Sequence, residues 1–176
     1  MRPYFDYLKS LLLHKWYVFV AGRYVGVSLW QLLIHDLSKF SPAEFLTYAR
    51  HSSTEEGRES EAFAAAWLHH ENANPHHWGY WIPRSGKYAN QPLPMPDRYI
   101  REMVADWMGA GKAYTGRWDI ADWLNENLPG FSDKLHPKTI VGVFLILVGV
   151  GIRAGTDGRQ FSATDEFLEW AGGERP

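Results

Sequence analysis

The chain has 176 residues, 45% of them hydrophobic, a formal charge of −2 and no cysteine. That length suits one domain with a real core, here assigned to residues 1–176, and the near-neutral charge removes any general basic field for nucleic acid. Without cysteine there is neither a disulfide framework nor a thiolate metal site, so a metal could rest only on His, Asp, Glu or water.

Residues 4–22 predict a first helix, with Tyr7, Leu8, Leu11, Leu12 and Val18 on or near one apolar side. No apolar run with a cleavage site precedes it, which predicts a cytoplasmic protein. A second helix is expected over 26–38, entered through Gly22 and Gly26. In "SPAE" the third begins, with Ser41 as N-cap, Pro42 at the first helical position and Glu44 where a capping box needs it, so Glu44 is given a structural role. A loop over 51–60 leads to a helix over 60–72, which Pro75 ends. Residues 74–96 hold five prolines among aromatic rings, and an ordered coil of that kind forms lids or pocket walls. Helices are expected over 97–114, 118–127 and 138–153, then a last one capped by Ser162 or Thr164. The most apolar stretch, 140–152, has 13 residues, too few to span a bilayer. Strand-like alternation is nowhere sustained, so the fold class is all-α.

The eight histidines are unevenly placed. His14 and His35 sit inside apolar helices, four more crowd "HHENANPHH" (69–77), and only His51 and His136 look ordinary. On a helix, His35, Asp36 and Lys39 occupy neighbouring parts of one surface, where imidazole and carboxylate suit a divalent metal. An Asp36–Lys39 helix pair explains the same spacing. His14 precedes His35 by 21 residues, enough for one helix to end and return antiparallel, although a lone His14 also fits as a core residue. Asp106 stands among Met103, Val104 and Trp107 and needs a partner there, either a metal or an arginine; Glu102, four residues earlier, shares a similar face. His70 follows Phe63, Ala66 and Trp67 on the apolar face and points inward, whereas His69 is peripheral. His76 and His77 can swing toward the same centre, or stack as surface rings.

His14, His35-Asp36 and Asp106 together resemble the H…HD…D arrangement of the HD-domain superfamily, with "HDLSK" similar to its HD-x-x-K form. "HKWYVFVAG", "HDLSKFSPAEF", "AWLHHENANPHHWGYW" and "MPDRYIREMVADWMGAG" more narrowly resemble an uncharacterised family of small phage and bacterial proteins, over about residues 8–115. The resemblance implies an HD-like helical bundle, completed by helices over 118–172, that holds one or two divalent ions (Mn, Fe, Zn, Co, Ni or Mg). His14, His35, Asp36 and Asp106 would hold the first ion, and His70 and His77, with or without His76, the second, with Asp36 as bridge.

The activity expected is hydrolysis of a nucleotide or other small phosphomonoester by metal-activated water, with catalytic roles for Asp36, Lys39 and His76. Lys39 would stabilise phosphoryl charge and His76 protonate the leaving oxygen. Lys15, Arg23 and Asn74 are expected on the substrate, and Trp78, Tyr80 and Trp81 offer faces for a base. Competing expectations are a di-iron oxygenase on the same fold, a non-catalytic binding protein of phage origin, and a purely structural metal. Membrane partners are not expected; the C-terminal apolar helix is expected to complete the core, with an exposed face that could pair subunits as a homo-oligomer.

Overall fold

A computed structural model describes residues 2–155 and 160–172; the parts of the expected domain at Met1, 156–159 and 173–176 lie outside them. The fold is all-α: α1 Arg2–Val25, α2 Leu29–Ile34, α3 Pro42–His51, α4 Glu55–Arg58, α5 Glu61–Ala73, α6 Asp97–Thr115, α7 Ala121–Phe131, α8 Pro137–Gly149 and α9 Asp165–Trp170. Short 3-10 turns cover Leu37–Phe40, Trp78–Trp81 and Ser132–Lys134. Between α8 and α9, strands β1 (Ile152–Ala154) and β2 (Phe161–Ala163) pair antiparallel, Arg153 opposite Ser162. No helix among the described residues is long and apolar enough to cross a membrane.

The long pair α1 and α6 forms the spine. The inward side of α6 carries Ile100, Met103, Val104 and Met108 at helical spacing, and these pack with Ala21 and Val25 of α1 and with Leu124, Leu147 and Phe167. The two backbones approach closely at Gly109, where a Cβ would lie 2.6 Å from Val18 N. Because His14 and Asp106 ride on these helices, their spacing depends on that contact. Gly109→Ala is therefore expected to cost about 1–3 kcal/mol by overpacking and to weaken metal binding in the same protein; urea unfolding and a metal titration check both.

Several boundaries differ from those expected. The first helix runs three residues past its predicted end, to Val25, and Leu12 on its expected apolar side is 53% exposed. The second stops at Ile34 rather than 38, because Asp36 takes a left-handed conformation (φ 55°), which aspartate tolerates better than most residues. The 51–60 loop contains a helix, α4, capped by Thr54 Oγ1 accepting from Gly57 N. The apolar helix ends at Gly149, and Gly151 at φ 90° turns the chain into β1. Ser162 lies in β2, and Thr164 caps α9 by accepting from Phe167 N.

Candidate metal centre

The turn that ends α2 builds the centre. His35 and Asp36 project from non-helical backbone, so they are not neighbours on a helix surface as the spacing suggested. Lys39 N donates to Asp36 O at 3.0 Å, and Lys15 Nζ of α1 donates to the His35 carbonyl, which ties the turn to the spine. Asp36 is fully buried, and its two oxygens face different sets of groups.

On the Oδ2 side, His14 Nε2 lies 3.4 Å and His35 Nε2 3.5 Å away. Asp106 Oδ1 closes that set, 3.2 Å from His14 Nε2 and 3.6 Å from His35 Nε2. On the Oδ1 side are His70 Nε2 at 3.5 Å and His76 Nε2 at 3.4 Å, while His77 Nε2 lies 2.7 Å from His70 Nε2. A cation about 2.1 Å from each donor would separate adjacent donors by roughly 3.0–3.4 Å, so most of these spacings approximate the edges of two coordination shells sharing Asp36. Among the described residues, the buried side-chain atoms with no hydrogen-bond partner include His14 Nδ1 and Nε2, His35 Nε2, His76 Nε2, Asp36 Oδ1 and Asp106 Oδ1. Clustered orphans of this kind are costly unless a ligand satisfies them. The donor set, all imidazole and carboxylate, suits Mn, Fe, Co, Ni or Zn. The residues present thus fit a divalent ion, and the two groups would each hold one.

Behind the centre, carboxylates orient the rings. His35 Nδ1–H donates to Glu102 Oε1 at 2.9 Å, and His76 Nδ1 lies 3.4 Å from the same oxygen. Glu102 Oε2 in turn accepts from Gln31 Nε2 at 2.5 Å. His70 Nδ1–H donates to Glu44 Oε2 at 2.9 Å, and His69 Nδ1–H to Glu44 Oε1 at 2.8 Å. Each such bond leaves the Nε2 lone pair of His35 or His70 aimed at the centre, the usual carboxylate–histidine–metal relay. Glu102 and His76 could themselves join His35 around an ion, but the Nδ1–H bond from His35 makes Glu102 an orienting acceptor.

Charge is concentrated here. Burial alone would pull His35 down, but Asp36, Asp106 and Glu102 push it up to about 10. Burial likewise opposes, and Asp106 and Asp36 outweigh it, in raising His14. Burial would raise Asp36, yet His35 and Lys39 hold it well below the usual carboxylate range. Asp106 behaves in the same way under His14 and His35. His77, half-buried beside His76, is pushed well down by desolvation and is therefore neutral, as a ligand must be. Lys39 Nζ donates to Asp36 Oδ2 at 2.5 Å, and burial of Tyr7 and Tyr48 raises both phenols, which stay protonated.

All six expected ligands, His14, His35, Asp36, His70, His77 and Asp106, come together. His76 joins them: it is 2% exposed and its Nε2 lies 3.4 Å from Asp36 Oδ1, within the second donor group. Lys39 sits against the centre, whereas Lys15 is spent on the His35 carbonyl. Two other substrate-binding expectations are corrected. Arg23 is exposed, nine residues and about 13 Å of helix rise beyond His14. Asn74 donates to Ser38 Oγ at 2.7 Å and to His70 O at 2.8 Å, so its amide braces the centre. Trp78 is partly buried against the core, with Lys134 Nζ 5.2 Å from its ring centroid. Glu44 is corrected as well: it is fully buried and holds two histidines, and the Ser41 hydroxyl makes no capping bond. Glu44→Gln is expected to weaken metal binding about 10–100-fold with little change in fold, measured by competition against a coloured chelator.

Two openings adjoin the centre. A cleft of about 640 Å³ is lined by Gln31, His35, His76, Arg98, Arg101 and Glu102, but by none of His14, Asp36, Lys39 or Asp106. It thus meets the ring-orienting side. A cavity of about 140 Å³ is lined by His14 and Lys39 and gives access to the donor side.

Fold and site together define an all-helical protein built around a buried histidine–carboxylate centre suited to divalent metal. The chain belongs to a family of unknown function (DUF5662), whose profile matches residues 4–144. That span contains every donor named above. No curated protein and no solved structure matches the chain significantly.

Proposed function

We propose that the protein is a metal-dependent phosphohydrolase of HD-domain type that acts on a phosphomonoester, a nucleotide or a smaller ester. The observation that carries this reading is Asp36, whose two oxygens are shared between two donor groups while Lys39 lies against the same carboxylate. When bound, divalent ions supply Lewis acidity and lower the pKa of a coordinated water. The chain's own groups do the rest. Lys39 sets a fixed positive charge where phosphoryl oxygens gain negative charge. Glu102 and Glu44 hold the imidazoles in one tautomer and orientation. A water oxygen bonds to phosphorus as the ester P–O bond breaks, and the proton it loses ends on the leaving oxygen, giving an alcohol and inorganic phosphate.

Oxygen chemistry at two irons competes with this reading, because an imidazole-rich, thiolate-free donor set also suits iron. Metal analysis of protein purified without chelator, with a metal-supplemented screen over nucleoside mono-, di- and triphosphates and simple phosphate esters, separates the two. Metal-dependent phosphate release supports hydrolysis; a coloured di-iron centre that takes up oxygen and releases no phosphate overturns it. A cytoplasmic location belongs to the same reading. So does a homo-oligomer through the outer face of α8, where Val141 and Leu145 are 59% and 69% exposed; light scattering tests it.

A further inference from the structure

The cavity beside His14 and Lys39 is small and its walls are specific. Its volume of about 140 Å³ is below the ~300–1,000 Å³ typical of drug-sized ligands. Tyr7 and Tyr48 form part of its lining. The hydroxyl oxygens of both are buried and have no hydrogen-bond partner. Their rings are held in place: Phe45 meets Tyr7 edge-on with centroids 5.2 Å apart, and Phe63 meets Tyr48 at 5.3 Å. The two tyrosine centroids are 6.0 Å apart, so the pair forms one wall. Placed donors that nothing in the protein satisfies, beside an ammonium group, are suited to oxygens brought in by a ligand. Leu11, Phe63 and Trp67 add apolar surface to the lining, and Trp67 is 42% exposed.

We propose that this cavity selects a compact phosphomonoester over a nucleotide, with Tyr7 and Tyr48 donating hydrogen bonds to phosphoryl oxygens held against Lys39. The proposal rests on the phosphohydrolase reading and narrows its substrate. The larger cleft does not rescue a nucleotide, since it is lined by neither Lys39 nor His14. The bond changes are those already written: water oxygen to phosphorus forms, ester P–O breaks, and the proton goes to the alcohol.

The test uses the metal-loaded full chain and begins with binding. Inorganic phosphate, propylphosphonate and an adenosine phosphonate are titrated by calorimetry; the P–C bond of the last two resists hydrolysis. Phosphate and propylphosphonate are expected to bind, and the adenosine compound at least tenfold more weakly. In Tyr48→Phe, Tyr7→Phe and the double variant the phosphate Kd is expected to rise, at least tenfold in the double, with metal content and Tm unchanged. Equal phosphate affinity in the double variant, no phosphate binding by the wild type, or an adenosine phosphonate that binds as well as the small one overturns the proposal. Turnover of glycerol phosphate is then measured separately. Hydroxyl-dependent phosphate binding without turnover upholds the assignment of the cavity and overturns the hydrolytic reading.

Discussion

Asp36→Asn is expected to strip metal from both halves of the centre and to abolish metal-dependent turnover. Asp36 is fully buried and turns one oxygen toward each donor group, and among the described residues no other side chain belongs to both of those groups. Asparagine keeps the shape and, like aspartate, tolerates the left-handed backbone at φ 55°. Alanine would add backbone strain to the loss of ligands and confuse the result. The amide presents an NH₂ to one group and a neutral oxygen to the other. The first loses its bridging ligand outright, and the second loses the charge that offsets Lys39 and the surrounding imidazoles. Metal affinity should therefore fall by more than the ~10–100-fold that follows loss of an orienting partner. Metal content after gel filtration, with circular dichroism to show that the helices remain, checks it. A folded Asp36→Asn protein that keeps its full metal content would mean that the ions sit elsewhere or not at all.

The convergence of this centre was legible because its donors are chemically out of place. His14, His35 and Asp106 each interrupt an apolar face, and burying such a group unpaired is expensive. His70 was readable from the same helical spacing that buries Ala66. What the spacing could not give was the backbone at Asp36. A helix surface and a left-handed turn are both compatible with an Asp–x–x–Lys pair, and in this fold it is the turn that carries Asp36. Glu44 was misread for a related reason: a capping box and a buried ring-orienting carboxylate look alike when Ser and Glu flank a proline. Its true partners lie 25 and 26 residues later in the chain, a distance at which no local pattern informs. Glu102 was seen on the right face but given no role, since nothing local pairs it with the Nδ1 atom of His35. Arg23 was assigned from residue type alone, and residue type does not say which way a side chain points. The two-strand hairpin escaped because three-residue strands carry too little alternation to register.

The second large effect is on pH dependence, and it differs in sign between the metal-free and metal-loaded protein. In the metal-free chain His35 is raised from 6.5 to about 10, so its contribution to stability is fully present below about 6.5 and is lost as pH rises toward 10. Glu102 is lowered from 4.5 to about 2, so its contribution is present above about 4.5 and is lost as pH falls toward 2. His35 and Glu102 together favour roughly pH 4.5 to 6.5. His77, held well below its ordinary value by burial, loses its contribution to stability as pH falls below about 6.5. Metal-free protein should therefore be most stable near the top of that window and should weaken as it is made alkaline. Metal reverses the alkaline limb, because His14 and His35 must shed the protons that their carboxylate neighbours hold on them. Each released proton makes affinity rise by up to about tenfold per pH unit until the folded-state pKa is passed. The increase in Tm on adding excess divalent metal is accordingly expected to be small at pH 6 and substantially larger at pH 8.5, with chelator removing it. Were the metal-induced shift flat or falling across that interval, the imidazoles facing Asp36 would not be surrendering protons to an ion, and the donor geometry would have to serve the ion pairs alone.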